Sequence, residues 1–97
     1  MDVNRSGNDT CLVLPAILSL TESEELLQTL RELNAGEGAY TIDASALARI
    51  STPNLQILLV AIKENAKATI NAPSLQFLTA IEDLGLSEHF EKRIVLE

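Results

Sequence analysis

Residues 40–86 read YTIDASALARISTPNLQILLVAIKENAKATINAPSLQFLTAIEDLGL, and two periodicities alternate along them. Tyr40 and Ile42 alternate with polar neighbours, the period-two pattern of a short strand that ends near Asp43. From about Pro53 to Asn65 the pattern is helical, opened by Ser51, Thr52 and Pro53. A second short strand follows over Ala68 to Asn71 and is closed by Pro73. A helix then carries Phe77, Leu78, Ile81 and Leu84 on one face, with Gly85 as its stop. Strands alternating with helices of this length predict crossover units and a mainly parallel sheet.

Working outward keeps the same alternation. Upstream, CLVLPAILSL (residues 11–20) is apolar but interrupted by Pro15, which cannot donate a ladder hydrogen bond. Two short strands or one bent edge strand are expected there. TESEELLQTLRELNAGEG (residues 21–38) is the clearest helix, with Thr21 and Glu24 in the capping-box arrangement. Leu26, Leu30 and Leu33 line its buried face, with Leu27 beside them, and Gly36 and Gly38 end it. Downstream, Ser87 to Phe90 predicts a helical turn, and KRIVLE (residues 92–97) a last short strand or a tail that docks. The fold class is therefore α/β: a small open, mainly parallel sheet of about four short strands with three or four helices. Residues 1–10, MDVNRSGNDT, read as a flexible polar lead, and residues 11–97 as one domain.

Composition sets further bounds. Of 97 residues, 46% are hydrophobic and only 3% aromatic, so the core must be aliphatic. A net charge of −7 argues against holding a nucleic-acid backbone or an anionic membrane through bulk charge. Cys11 is the only cysteine, so no internal disulfide can form, and a cytoplasmic setting is expected. The longest apolar run, Leu55 to Ile62, is too short for a membrane span.

The central helix is the unusual element. At about 100° per residue, Leu55, Leu58, Leu59 and Ile62 form a complete core stripe. Ile57, Val60 and Ala61 fall on roughly the opposite side, near Pro53 and Glu64. Either another element of the fold covers this second strip or it is a docking surface, for a partner or for a second copy of the chain. At the mouth, Pro53 suits the first helical turn, which makes Thr52 the expected N-cap and Ser51 the residue before it. Thr52 has two readings, a cap or a phosphoacceptor. A phosphate there would meet free backbone N–H groups and add about two negative charges beside the strip.

On these residues the chain resembles the STAS domain, named after sulfate transporters and anti-sigma-factor antagonists. The resemblance runs from about Cys11 to Phe90, with IDAS, ISTPNLQILL and EDLGL filling its characteristic slots. It implies a non-catalytic switch module with no cofactor. It places Thr52 at the hydroxyl that a kinase-like partner phosphorylates to release itself, and Ile57 and Val60 on the partner-binding helix. Pro53, Asn54, Ala61 and Glu64 complete the expected partner surface, and Ser51 is the second phosphoacceptor candidate. The family also includes a constitutive subunit that holds a phospholipid-transport ATPase, and small stand-alone proteins of chemotaxis clusters. The sequence departs from the pattern at Ser51, where an acidic residue is usual, and at Pro53 and Asn54, where small residues and glycine are usual.

No catalytic constellation accompanies these features. Asp43 has no second carboxylate or histidine at ligand spacing, so it reads as a loop-capping or surface group and no metal site is expected. His89 reads as a solvated turn residue, Cys11 as a buried small hydrophobe, and the glutamates of residues 21–27 as a solvated helix face. The partner classes expected are therefore proteins: an anti-sigma factor or related serine kinase, a transporter ATPase, a chemotaxis component, or a second copy.

Overall fold

The structure is a computed structural model that describes residues 1–6, 9–36 and 38–95. Seven strands form among these residues: β1 (Asp2–Ser6), β2 (Asp9–Val13), β3 (Ile17–Leu18), β4 (Thr41–Asp43), β5 (Arg49–Ile50), β6 (Thr69–Asn71) and β7 (Ile94–Val95). Four helices join them: α1 (Ser23–Ala35), α2 (Thr52–Glu64), α3 (Leu75–Asp83) and α4 (Ser87–Glu91). The main sheet has the order β1-β2-β4-β6-β7, and β3 pairs with β5 in a small second sheet. All pairings are parallel except β1 with β2. The mainly parallel α/β architecture expected from the alternating periods is thus the one formed.

Register explains where the core sits. Val3, Leu12, Ile42, Ile70 and Ile94 stand opposite one another across all five strands of the main sheet. Against this row pack Leu26, Leu30 and Leu33 of α1, Leu55, Leu58 and Ile62 of α2, Phe77 and Ile81 of α3, and Phe90 of α4, all buried. Phe77 and Phe90 meet edge to face at 5.6 Å, a favoured aromatic geometry. The opposite face of the sheet carries Asn4, Cys11, Thr41 and Thr69 in one row. Cys11 is consequently half-buried on the sheet's other face, and the expectation of a fully buried cysteine is corrected by its register.

Several other expectations change. Residues 2–6 are not a flexible lead: they form an antiparallel edge strand whose Val3 joins the core row. Gly7 and Asn8, the rest of that expectation, lie outside the described residues, as do Glu37, Leu96 and Glu97. The Pro15 interruption does give two strands, but β2 is central to its sheet and β3 belongs to the other one. The helical segment begins one residue before Thr21, at Leu20, but α1 itself begins only at Ser23. A 3-10 turn over Leu20–Glu22 precedes the helix, and the Glu22 carboxylate accepts from both the N–H and the Oγ–H of Ser19, each at 2.9 Å. The gain is that a short acidic side chain satisfies two donors before regular α-helical bonding begins.

Polar ties fix the helices relative to the strands. The Tyr40 hydroxyl donates to Asn34 Oδ1 at 2.8 Å, and Asn34 Nδ2 donates to the Ala61 carbonyl at 3.2 Å, joining the residue just before β4 to α1 and α2. Arg93 donates to the carbonyls of Asn65 and Ala68 at 2.9 and 3.1 Å, which holds the C-terminal segment against the turn after α2.

Candidate functional site at the head of the central helix

The loop from β4 through β5 delivers Ser51 to the start of α2. Ser51 is the N-cap: its backbone is extended, and its Oγ accepts from the Asn54 N–H at 3.4 Å. Thr52 is the first helical residue and Pro53 the second, both exposed. The cap is thus one residue earlier than expected, because proline is tolerated anywhere in the first turn, where its missing N–H loses no helical bond. The consequence is chemical. The Ser51 hydroxyl is engaged and half-buried, whereas the Thr52 hydroxyl stands free at the surface of the helix mouth.

The donors available at this mouth are few. The Ser51 N–H is bonded to the Leu18 carbonyl at 2.9 Å, Pro53 has none, and the Asn54 N–H makes only the long contact to Ser51. The Leu55 N–H closes onto the Ser51 carbonyl at 3.1 Å. Among the described residues the Thr52 N–H has no acceptor, so an anion on Thr52 meets the positive end of a helix dipole with that N–H and the loosely held Asn54 N–H as its donors.

Asn54 is the one polar residue of the described chain that is buried outright. Its Nδ2 donates to the carbonyls of Leu18 and Ser19 at 3.0 and 2.9 Å, and its Oδ1 accepts from Ser23 Oγ at 2.9 Å. Burial removes it from the partner surface expected of it, and full hydrogen bonding is what makes that burial tolerable. Ala61 is corrected on the same ground, since it is only 5% exposed.

The rest of the second apolar strip is partly covered. α1 packs alongside α2, so Ala61 is enclosed and Ile57 half-buried, while Val60 remains 55% exposed. Pro53, Ile57, Val60 and Glu64 line one wall of a groove of about 370 Å³ between the two helices, with Leu27 and Arg31 on the other. A neighbouring helix therefore covers one edge of the strip and leaves the other edge open.

A larger depression, about 780 Å³, lies on the other side of the α2 mouth, between the small sheet and α3. Ser51 forms part of its wall, and Ile17, Leu20, Ile50 and Ala80 supply apolar surface. Ile17 and Leu20 are 54% and 69% exposed. Sequence reasoning did not place these residues at the site, because β5 is only two residues long and the β3–β5 pairing brings distant segments together. The one available signal was an apolar run continuing past Pro15 into a position just before a helix.

Other candidates take quieter roles. Asp43 Oδ1 accepts from the Ser45 N–H at 2.9 Å, and the Ser45 side chain and N–H hold its carboxyl below the usual range. His89 is exposed on α4. Among the described residues, no three His, Cys, Asp or Glu side chains come together as a metal cluster would require. No helix among them is long and apolar enough to cross a membrane.

No family model matches the chain, and no curated protein matches it in sequence. The fold is similar to that of the solved structure of the Bacillus cell fate determinant SpoIIAA in the phosphorylated form, with a TM-score of 0.75 over 99% of this chain and 89% of that one. Identity is 10%, so the likeness carries the fold and not the role of any residue. The STAS-like fold expected over about Cys11 to Phe90 is the fold found.

Proposed function

We propose that the chain is a non-enzymatic interaction module that works as a partner switch, with Thr52 as its phosphoacceptor. The observation that carries this reading is the free, exposed hydroxyl of Thr52 at the mouth of α2, flanked by two open apolar surfaces. The fold likeness to a protein solved in a phosphorylated form supports it. The unmodified module holds its partner, an anti-sigma factor or kinase-like protein, through Thr52, Pro53 and the exposed edge of α2 at Ile57, Val60 and Glu64. A phosphate on Thr52 adds about two negative charges to that contact and repels the partner. Ser51 is the weaker acceptor because its hydroxyl caps the helix. The protein acts in the cytoplasm and uses no cofactor, metal or nucleic acid.

One observation favours a second reading. Pro53 leaves the helix mouth poor in donors for a phosphate. On that reading the same surface holds a transporter ATPase or a chemotaxis component constitutively, and Thr52 is only a contact. The experiment is a pull-down from native lysate with the native chain, Thr52→Ala and Val60→Asp in parallel, with mass spectrometry of partner and bait. The switch requires phosphate on Thr52, a kinase-like partner that Val60→Asp loses, and no release of Thr52→Ala on incubation with ATP. A partner lost in Val60→Asp without phosphate on either hydroxyl selects the constitutive reading. Identical captures for native chain and Val60→Asp remove the α2 edge from the function.

A further inference from the structure

One buried side chain, that of Asn54, ties the α2 mouth to the segment bordering the larger depression. Ser19 is held from several directions: its carbonyl accepts from Asn54 Nδ2 at 2.9 Å and from the Glu22 N–H at 3.1 Å, while its N–H and hydroxyl donate to the Glu22 carboxylate. Those contacts set the 3-10 turn that carries Leu20, the most exposed apolar residue bordering the larger depression. Asn54 also reaches Ser23 at the first turn of α1. Yet Asn54 belongs to α2, two residues after Thr52, and its own N–H makes only the long 3.4 Å contact to Ser51.

We infer that Asn54 is a positioning residue that couples the charge state of Thr52 to the Ile17–Leu20 surface. An anion on Thr52 draws the Asn54 N–H, whose present contact is long at 3.4 Å, away from Ser51 Oγ. Turning that peptide rotates the Asn54 side chain, which has no slack, since all three of its side-chain contacts lie at 2.9–3.0 Å in a buried setting. The contact to the Ser19 carbonyl is the one that bears on the 3-10 turn, because the same oxygen also accepts from the Glu22 N–H. The 3-10 turn is then released, and a 3-10 turn of one repeat is readily rearranged. The event at Thr52 is thereby read on both sides of the α2 mouth and not only where the charge sits. This inference rests on the reading of Thr52 as the switching residue, but it is tested in the isolated chain, without kinase or partner.

The test is amide hydrogen exchange with methyl and amide NMR on four chains: native, Thr52→Glu, Asn54→Leu and the double variant. In the native background Thr52→Glu is expected to speed exchange at the Ser19 and Glu22 amides about fivefold, which corresponds to about 1 kcal/mol, one net hydrogen bond. It should also shift the Leu20 methyl resonances. In the Asn54→Leu background the same substitution should leave both unchanged. If Asn54→Leu fails to fold, Ser23→Ala replaces it; that variant frees Oδ1 and should halve the response or more. No response to Thr52→Glu in the native chain overturns the coupling, and so does an undiminished response without Asn54 or Ser23. Failure of the partner-switch reading shows separately, as absence of phosphate or partner while this coupling persists.

Discussion

Ser51 and Thr52 are adjacent hydroxyls with separate duties, and the division is set by one peptide. Ser51 has the extended backbone of a cap and its oxygen accepts from inside the helix, whereas Thr52 is already helical and its side chain stands outside. Replacing Ser51 by Ala removes the only side-chain partner of the Asn54 N–H and should cost about 1 kcal/mol, lowering the thermal midpoint by about 4–8 °C in a domain of this size. Thr52→Ala removes no hydrogen bond and should shift the midpoint by less than about 2 °C. Thermal melts of the two variants decide it: equal losses would mean that the cap is shared. Proline two residues past the cap made this division hard to read in sequence, since Ser-Thr-Pro satisfies the preference for a capping hydroxyl in either of two registers. Asn54 was illegible for a different reason. A polar residue in a first helical turn reads as solvated, and its burial depends on carbonyls of Leu18 and Ser19 that lie more than thirty positions away in the chain.

Periodicity controlled what could be read at the scale of the element. The buried face of α1 and the strands β4 and β6 follow from apolar spacing alone, as do Phe77 and Ile81 of α3, but Leu84, expected on the same face, lies past the end of α3 and is exposed. β1 escaped because an edge strand has one solvated face, and Asp2, Asn4 and Arg5 make it look like a tail. β5 escaped because two residues carry no period. The second strip of α2 was legible as a strip but not as a divided one, because coverage by α1 depends on how two helices cross. That division predicts opposite outcomes for neighbouring residues. Val60→Asp places a charge in solvent and should change stability by less than about 0.5 kcal/mol. Ala61→Asp buries a carboxylate between α1 and α2, where the Ala61 carbonyl already takes the Asn34 amide, and should cost about 3 kcal/mol or more. Urea titrations of both, followed by circular dichroism, check the contrast. A large loss in Val60→Asp would mean that the groove wall is core and that the docking surface is confined to the depression beside β3 and β5.

For the molecule as a whole, the titrating groups bound a window of stability. The Ser19 N–H and hydroxyl hold the Glu22 carboxyl below its ordinary value, and Ser45 does the same for Asp43. A depressed carboxyl contributes stability that is fully present above its unfolded pKa and is lost as pH falls through the folded one. Both contributions should therefore begin to fade below about pH 4.5, where the unfolded chain takes up protons first. Tyr40 acts at the other limit. Burial, with Glu64 adding to it, pushes its phenol up to about 12, so the neutral hydroxyl that bonds Asn34 persists well into alkali. A raised phenol contributes stability that is complete below about pH 10 and is lost as pH rises through the folded value. The N-terminal amine, raised chiefly by its hydrogen bond to Glu25, loses its smaller surface contribution earlier, above about pH 8, and salt screens it. Thermal midpoints measured from pH 3 to 12 should thus form a broad plateau with an acid shoulder, which Glu22→Gln moves, and a steep alkaline fall, which Tyr40→Phe moves. Because Tyr40, Asn34 and Ala61 tie the residue just before β4 to both helices, the alkaline fall should coincide with loss of α1–α2 packing. An alkaline limit unchanged by Tyr40→Phe would mean that the chain is held there by groups other than this phenol.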